Sequence, residues 1–413
     1  MDQFEQQLHK YADLALKTGV NLQKGQGLII NAPVEAIDFV QIVVEKAYLI
    51  GAKDVHVEWK DDRLTYLKMK HAPMEVLETY PTWRKEALES MIEDGYGLLN
   101  IYGEDPDLLS DIESKRISAV TKASSIALKK YRDYLMNDKA RWSIVGYPTL
   151  EWAKKIFPEL NDEEAIDQLW HEIFRIARVN QEDPVKAWDA HNKLLENAHQ
   201  YLNEKKFAKL HFKGPGTDLE LALPENHIWA GGAAKAVDGF MFNPNIPTEE
   251  VFSMPHKYGV NGKVTSTKPL SYGGQLIDNF TLTFKDGKVV DFQAEQGEEA
   301  LKNLLEADED GAKRLGEVAI VPHSSPVSQS GLIFFNTLFD ENASCHIALG
   351  KAYPTNIQNG SDMNKEELDK NGVNDSIVHE DFMIGSDKLD IDGITVEGER
   401  EALFKNGEWA VKF

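Results

Sequence analysis

Five residues in the C-terminal half have types and spacings that suit metal chemistry. His379 and Asp381 lie two apart in Ile377-Val-His-Glu-Asp-Phe-Met-Ile-Gly385, which reads as a strand. Both side chains then project from one face, with Glu380 on the other. An imidazole and a carboxylate set together among Ile, Val, Phe and Met suit a divalent cation. Glu317 opens the apolar run Val318–Pro322, where a carboxylate either points to solvent or meets a cation. His346 stands in the apolar segment Ser344-Cys-His-Ile-Ala-Leu-Gly350; taken singly, such a histidine is more often a satisfied core residue than a ligand. Gly350 and Pro354 imply a sharp change of direction that returns Tyr353 toward His346. Asn245-Ile-Pro-Thr-Glu-Glu-Val-Phe252 supplies the pair Glu249 and Glu250, which alone reads as a helix start with acids at its positive end.

Taken together, Glu250, Glu317, His346, His379 and Asp381 are too many for one closed zinc site. They suit two divalent ions roughly 3.5–4 Å apart, with a carboxylate and a hydroxide between them. The charges then balance, +4 from the ions against three carboxylates and the hydroxide. Such a centre makes a water nucleophilic at neutral pH and polarises a bound carbonyl. Competing motifs fail. Cys345 precedes His346, and strand neighbours point to opposite faces, so a packed structural cysteine is expected rather than a thiol nucleophile. Gly25-Gln-Gly27 lies before the first strand, not after it, and no GxGxxG or P-loop follows. The acids of Asp387–Asp392 are spaced wrongly for an EF-hand. No HExxH or GxSxG occurs.

The elements that must position these groups follow from the apolar pattern. Leu28–Pro33, Val55–Lys60, Gly97–Gly103 and Trp142–Pro148 read as strands, and Ala36–Ile50 as a helix ending at Gly51. Strands alternating with helices predict a parallel sheet with helices on both faces. Residues 149–203 read as mostly helix, interrupted near Pro158 and Pro184. Beyond Phe207–Phe212 the pattern changes. Asn261-Gly262, Asp286-Gly287, Asp392-Gly393 and Asn406-Gly407 sit between strand-like runs and predict hairpin turns. The expected organisation is an α/β domain with a parallel sheet over residues 1–205. It is followed by an α+β domain, rich in antiparallel hairpins, over 206–413 that carries the metal site.

Composition narrows the function. The 413 residues hold 68 Asp+Glu against 45 Lys+Arg, a formal charge of −23. A field of that sign repels nucleic acid and anionic membranes alike, so neither is an expected partner. The longest stretch free of Asp, Glu, Lys and Arg, residues 318–339, contains His323, two prolines and four serines and is too polar to span a bilayer. A single cysteine excludes an intrachain disulfide, and the N-terminus has no apolar leader core, so a reducing, cytoplasmic setting is expected.

The motifs IPTEEVF, SCHIALGKAY and VHEDFMIGS resemble those of the aminopeptidase T/AmpS/PepS family of bacterial metalloaminopeptidases, and the similarity runs over the whole chain. The resemblance implies a dinuclear exopeptidase that removes N-terminal amino acids from peptides, built as a two-domain subunit in a homodimer that encloses the active sites. By motif register, the family's metal ligands fall on Glu250, Glu317, His346, His379 and Asp381, and its active-site tyrosine on Tyr353. Glu249, beside a ligand, is then the candidate general base, or else the grip on the substrate's α-ammonium. Zinc, cobalt, manganese and magnesium all remain open for such mixed ligands. The rival readings are another dinuclear hydrolase, a phosphoesterase or amidase, and a non-catalytic metal-stabilised binding protein. The phosphoesterase lacks its usual arginines: residues 240–400 hold only Arg314 and Arg400.

Overall fold

The structure is a computed structural model that describes residues 2–272 and 275–413. The chain divides into two compact units, Met1–His191 with Ala233–Pro247, and Asn192–Gly232 with Thr248–Phe413. The sequence reading sets its boundary at residue 205. By contacts, the change of unit falls earlier, inside the helix Pro184–Lys205, and the segment Ala233–Pro247 belongs to the first unit.

In the first unit, strands β1 (Gly27–Pro33), β2 (Asp54–Lys60), β3 (Gly97–Tyr102), β4 (Trp142–Gly146) and β5 (Asn245–Ile246) form one parallel sheet in the order β2-β1-β3-β4-β5. The fifth strand is two residues long and remote in sequence, which is why periodicity did not find it. The helix Ile37–Ile50 buries Phe39, Val40, Val43 and Ala47 at helical spacing. It stops at Gly51, whose φ of 106° and N–H bonds to Ala47 and Tyr48 form a left-handed cap. Asp162–Ile176 begins with a capping box between Asn161 and Glu164. Among the described residues no helix is long and apolar enough to cross a membrane.

The second unit holds a nine-stranded sheet, with Lys209–Gly214, Thr217–Ala222, Val260–Thr265 and Gln275–Lys285 among its antiparallel strands. It also holds a four-stranded antiparallel sheet in the order β6-β7-β8-β9, from β6 (Val251–Ser253), β7 (Leu315–Ile320), β8 (His346–Gly350) and β9 (His379–Met383). Two of the four expected turns occur. Asp286-Gly287 and Asn406-Gly407 both take positive φ at both residues and close hairpins. The other two pairs lie inside strands, which corrects the hairpin expectation. There glycine serves close approach: a Cβ on Gly262 would sit 2.2 Å from the Asp218 carbonyl oxygen, and one on Gly393 2.7 Å from the Phe207 ring.

Candidate metal centre

Strand alternation divides the four-stranded sheet into two faces. Val251, Val318, Ile320, Ile347, Leu349 and Phe382 point one way into the hydrophobic core of the second unit, and Phe382 packs on Phe280 at 5.1 Å. Burying each such side chain contributes about 1.5–3 kcal/mol. The other face carries the donors. Glu317 and Asp381 flank Ala348 across the ladder, and His379 stands opposite Gly350. His346 faces Ala319 on one side and Met383 on the other. Ala319, Ala348 and Gly350 are small, which leaves room above the sheet for the larger groups. Phe252 opposes Ala319 on this face, and Glu250, just before the strand, joins the donors there with its Oε2 3.2 Å from His346 Nε2. No helix begins at the acid pair; residues 248–250 are irregular chain leading into β6, which corrects the helix-start reading.

A bulge sets Glu317 on the donor face. The ladder slips between Leu315 and Glu317, leaving Gly316 unpaired. Any Cβ at Gly316 would lie 2.3 Å from the Lys351 carbonyl oxygen, so the bulge requires glycine. Just upstream, Arg314 donates to Asp310 at 2.6 and 3.1 Å and to the Lys257 carbonyl at 3.0 Å, which fixes the entry to β7.

The donors converge. Glu250 Oε2 lies 3.2 Å from His346 Nε2, and Glu317 Oε1 3.6 Å from the same nitrogen. Glu317 Oε2 lies 3.6 Å from His379 Nε2, which is 3.7 Å from Asp381 Oδ1. Two overlapping groups result, Glu250–Glu317–His346 and Glu317–His379–Asp381, each with its ligand atoms within 4.8 Å of one another. Glu317 belongs to both and turns one oxygen to each imidazole. Both rings are oriented from behind: His346 Nδ1 meets the Ser344 carbonyl at 3.2 Å and His379 Nδ1 the Lys351 carbonyl at 2.6 Å. These contacts turn Nε2 of each ring toward the carboxylates, the orientation in which histidines ligate metals. Glu250 Oε2 and Asp381 Oδ1 are buried with no hydrogen-bond partner. Buried carboxylate oxygens without donors, beside bare imidazole nitrogens, fit divalent cations.

The electrostatics agree. Glu317 is 5% exposed; burial pushes its carboxyl up to about 7, with Asp381 and Glu250 adding and His346 opposing. Burial alone would lower His346, but the adjoining Glu250 and Glu317 raise it well above the usual imidazole range. Protons are therefore held where cations would otherwise neutralise the charge.

Tyr353 arrives through the change of direction expected at Gly350, whose φ is 106°. Its ring lies 4.9 Å from that of His379. Burial, then the carboxylates Glu317 and Asp381, hold its phenol far above the ordinary range, so it remains a hydrogen-bond donor. Glu249 is 4% exposed and belongs to neither donor group. Its N–H donates to Asn342 Oδ1 at 2.7 Å, and Asn342 in turn donates to the Leu338 carbonyl. Cys345 is packed as expected, donating to the Val321 carbonyl. A cavity of about 310 Å³ opens beside His379 and Asp381, lined also by Lys268, Asp340, Glu341 and Glu380. The sequence reading missed Lys268, Glu341 and Asn342. The acid pair Asp340-Glu341 between Phe339 and Cys345 was the available signal. Glu380 lines the cavity too, because β9 is an edge strand.

The description "thermophilic metalloprotease (M29)" matches residues 4–409. The chain belongs to this M29 metalloprotease family. It is 56% identical over 410 residues to Aminopeptidase 2 of Geobacillus stearothermophilus, covering 99% of each chain. It is 51% identical to Aminopeptidase AmpS of Bacillus subtilis (strain 168), covering 99% of this chain and all of that one. The M29 chain also matches the solved structure of wild-type AmpT from Thermus thermophilus, with a TM-score of 0.93 and 42% identity over 99% of this chain and 100% of that one.

Proposed function

We propose that the chain is a metal-dependent aminopeptidase that releases N-terminal residues from peptides. In this reading two divalent ions are held in the C-terminal half by Glu250, Glu317, His346, His379 and Asp381. The observation that carries it is Glu317, whose two oxygens face different imidazoles within two overlapping donor groups. A shared carboxylate of this kind is what a dinuclear centre needs. The aminopeptidase names of relatives at 51–56% identity support peptide substrates. Zinc, cobalt, manganese and magnesium are all compatible with the donors. A phosphoesterase is disfavoured: Arg314 is committed to Asp310 and backbone carbonyls, and Arg400 lies 3.7 Å from Asp392.

Divalent ions held by these residues would supply Lewis acidity, acidifying a water and polarising the scissile carbonyl. The chain's own groups do the rest. Glu249 takes the proton of the attacking water and returns it to the leaving amine. Tyr353 donates a hydrogen bond to the oxyanion that forms on the scissile carbon. Replacing Tyr353 by Phe is expected to lower kcat by about 10²–10³, with metal content and KM near wild type. A kcat within twofold of wild type would remove Tyr353 from this role.

The reading is tested by incubating the protein with aminoacyl p-nitroanilides and dipeptides, with Zn²⁺, Co²⁺, Mn²⁺ or Mg²⁺ supplied singly, with and without chelator. Release of the N-terminal residue that chelator abolishes and metal restores is the expected result. No turnover with any of the four ions overturns it and leaves a binding protein. The resemblance extends the reading to a homodimer, which sedimentation of the metal-loaded protein checks.

A further inference from the structure

The cavity beside His379 and Asp381 has a volume, about 310 Å³, in the range of small-ligand pockets, and apolar Leu276, Ile333 and Phe335 contribute to its lining. One cation shares that lining, Lys268. It is half-buried, and burial lowers its ammonium below the usual lysine range, with Asp340 as the only opposing charge. Asp340 is not its ion-pair partner. Its two oxygens accept the backbone N–H groups of Phe334 at 2.7 Å and Asn336 at 3.0 Å, which commits the acid to its own loop. Among the described residues no carboxylate lies within ion-pair distance of Lys268. A half-buried lysine without a counter-ion is costly unless an anion completes the site.

We propose that Lys268 receives a carboxylate of the peptide substrate, the C-terminal carboxylate of a di- or tripeptide. This rests on the aminopeptidase reading above. Such substrates carry a carboxylate a few bonds beyond the scissile peptide, and the cavity that Lys268 shares with His379 and Asp381 is small enough to hold both ends. Long peptides and p-nitroanilides present no carboxylate there. Lys268 is thus a specificity residue: it favours short peptides with a free C-terminus.

The test compares kcat/KM for a tripeptide such as Leu-Gly-Gly as free acid and as C-terminal amide, with the metal-loaded protein. Wild type is expected to prefer the acid by roughly tenfold or more, through KM, the size expected of a charge-assisted hydrogen bond. Lys268→Met should bring the ratio to about one, and Lys268→Arg should keep it. A second pair, Glu-Gly-Gly amide and Gln-Gly-Gly amide, identifies the carboxylate. A preference for the Glu peptide that Lys268→Met removes would place the receptor at the first side chain and overturn the C-terminal assignment, which the first pair supports. Ratios that Lys268→Met leaves unchanged overturn the proposal. So does a wild-type ratio of one for acid against amide, which needs no folded variant. Failure of the wild type to cleave any of these peptides overturns the aminopeptidase reading and this proposal with it, an outcome distinct from cleavage without preference.

Discussion

Glu317→Gln is expected to lose both metal ions from one substitution. Glu317 is the only residue in both donor groups, and its two oxygens face His346 and His379 separately. A glutamine keeps the shape but offers one neutral oxygen. The loss of kcat/KM should go well beyond the roughly 10–100-fold that follows removal of a supporting hydrogen bond at a metal site. Glu250→Gln should spare the second group, and Asp381→Asn the first, so each should retain about one ion per chain under the two-ion reading. The same substitution has the opposite effect on the metal-free protein. Glu250, Glu317 and Asp381 crowd one buried face, and removing one carboxylate relieves repulsion. Metal-free Glu317→Gln should therefore be at least as stable as metal-free wild type. It should miss most of the stabilisation that wild type gains on metal addition, about 2.7 kcal/mol at a hundredfold excess over Kd. Elemental analysis of dialysed protein and thermal unfolding with and without metal check both signs. Full metal content in Glu317→Gln would refute the shared-ligand reading.

Glu249→Gln is expected to lower kcat by about 10²–10⁴, the usual worth of a positioned general base, while KM changes little. Metal content should stay near wild type, because Glu249 lies outside both donor groups. The alternative role, gripping the α-ammonium, predicts the reverse split: a raised KM for peptides with a free N-terminus and a nearly unchanged kcat. Steady-state kinetics on one dipeptide series separate the two. Asn342 controls the same point from behind. It is fully buried and accepts the Glu249 N–H, so it holds the acid pair in register.

Much of this was readable from residue order. Parallel strands buried on both faces give continuous apolar runs, so Leu28–Ile30 and Leu98–Leu99 stood out, and Gly51 marked a helix end because it alone tolerates the left-handed cap. His379 and Asp381 stood out as candidate donors because two such side chains on one face of an apolar strand have few structural explanations, whereas Glu250 was separated from Glu249 only by the motif register of the resemblance. Other features were not legible. The dipeptide Asp-Gly looks the same whether it turns a hairpin, as at Asp286-Gly287, or lets a strand approach a ring, as at Asp392-Gly393. The face on which Glu317 emerges depends on the bulge at Gly316, which spacing does not reveal. Lys268 and Asn342 act on groups far away in the chain, and nothing local distinguishes them. The contact of Tyr353 with His379, a residue of a different strand, was likewise not visible in spacing.

The two-faced sheet has a consequence for variation. Along β7, β8 and β9, apolar anchors alternate with donors, so neighbouring codons answer to different demands. Exchanges such as Ile347→Val or Leu349→Met alter how firmly the sheet is held, while His346, Ala348 and Asp381 keep their places on the other side. Heat resistance can thus drift in one direction and reactivity in another, within the same five-residue strand.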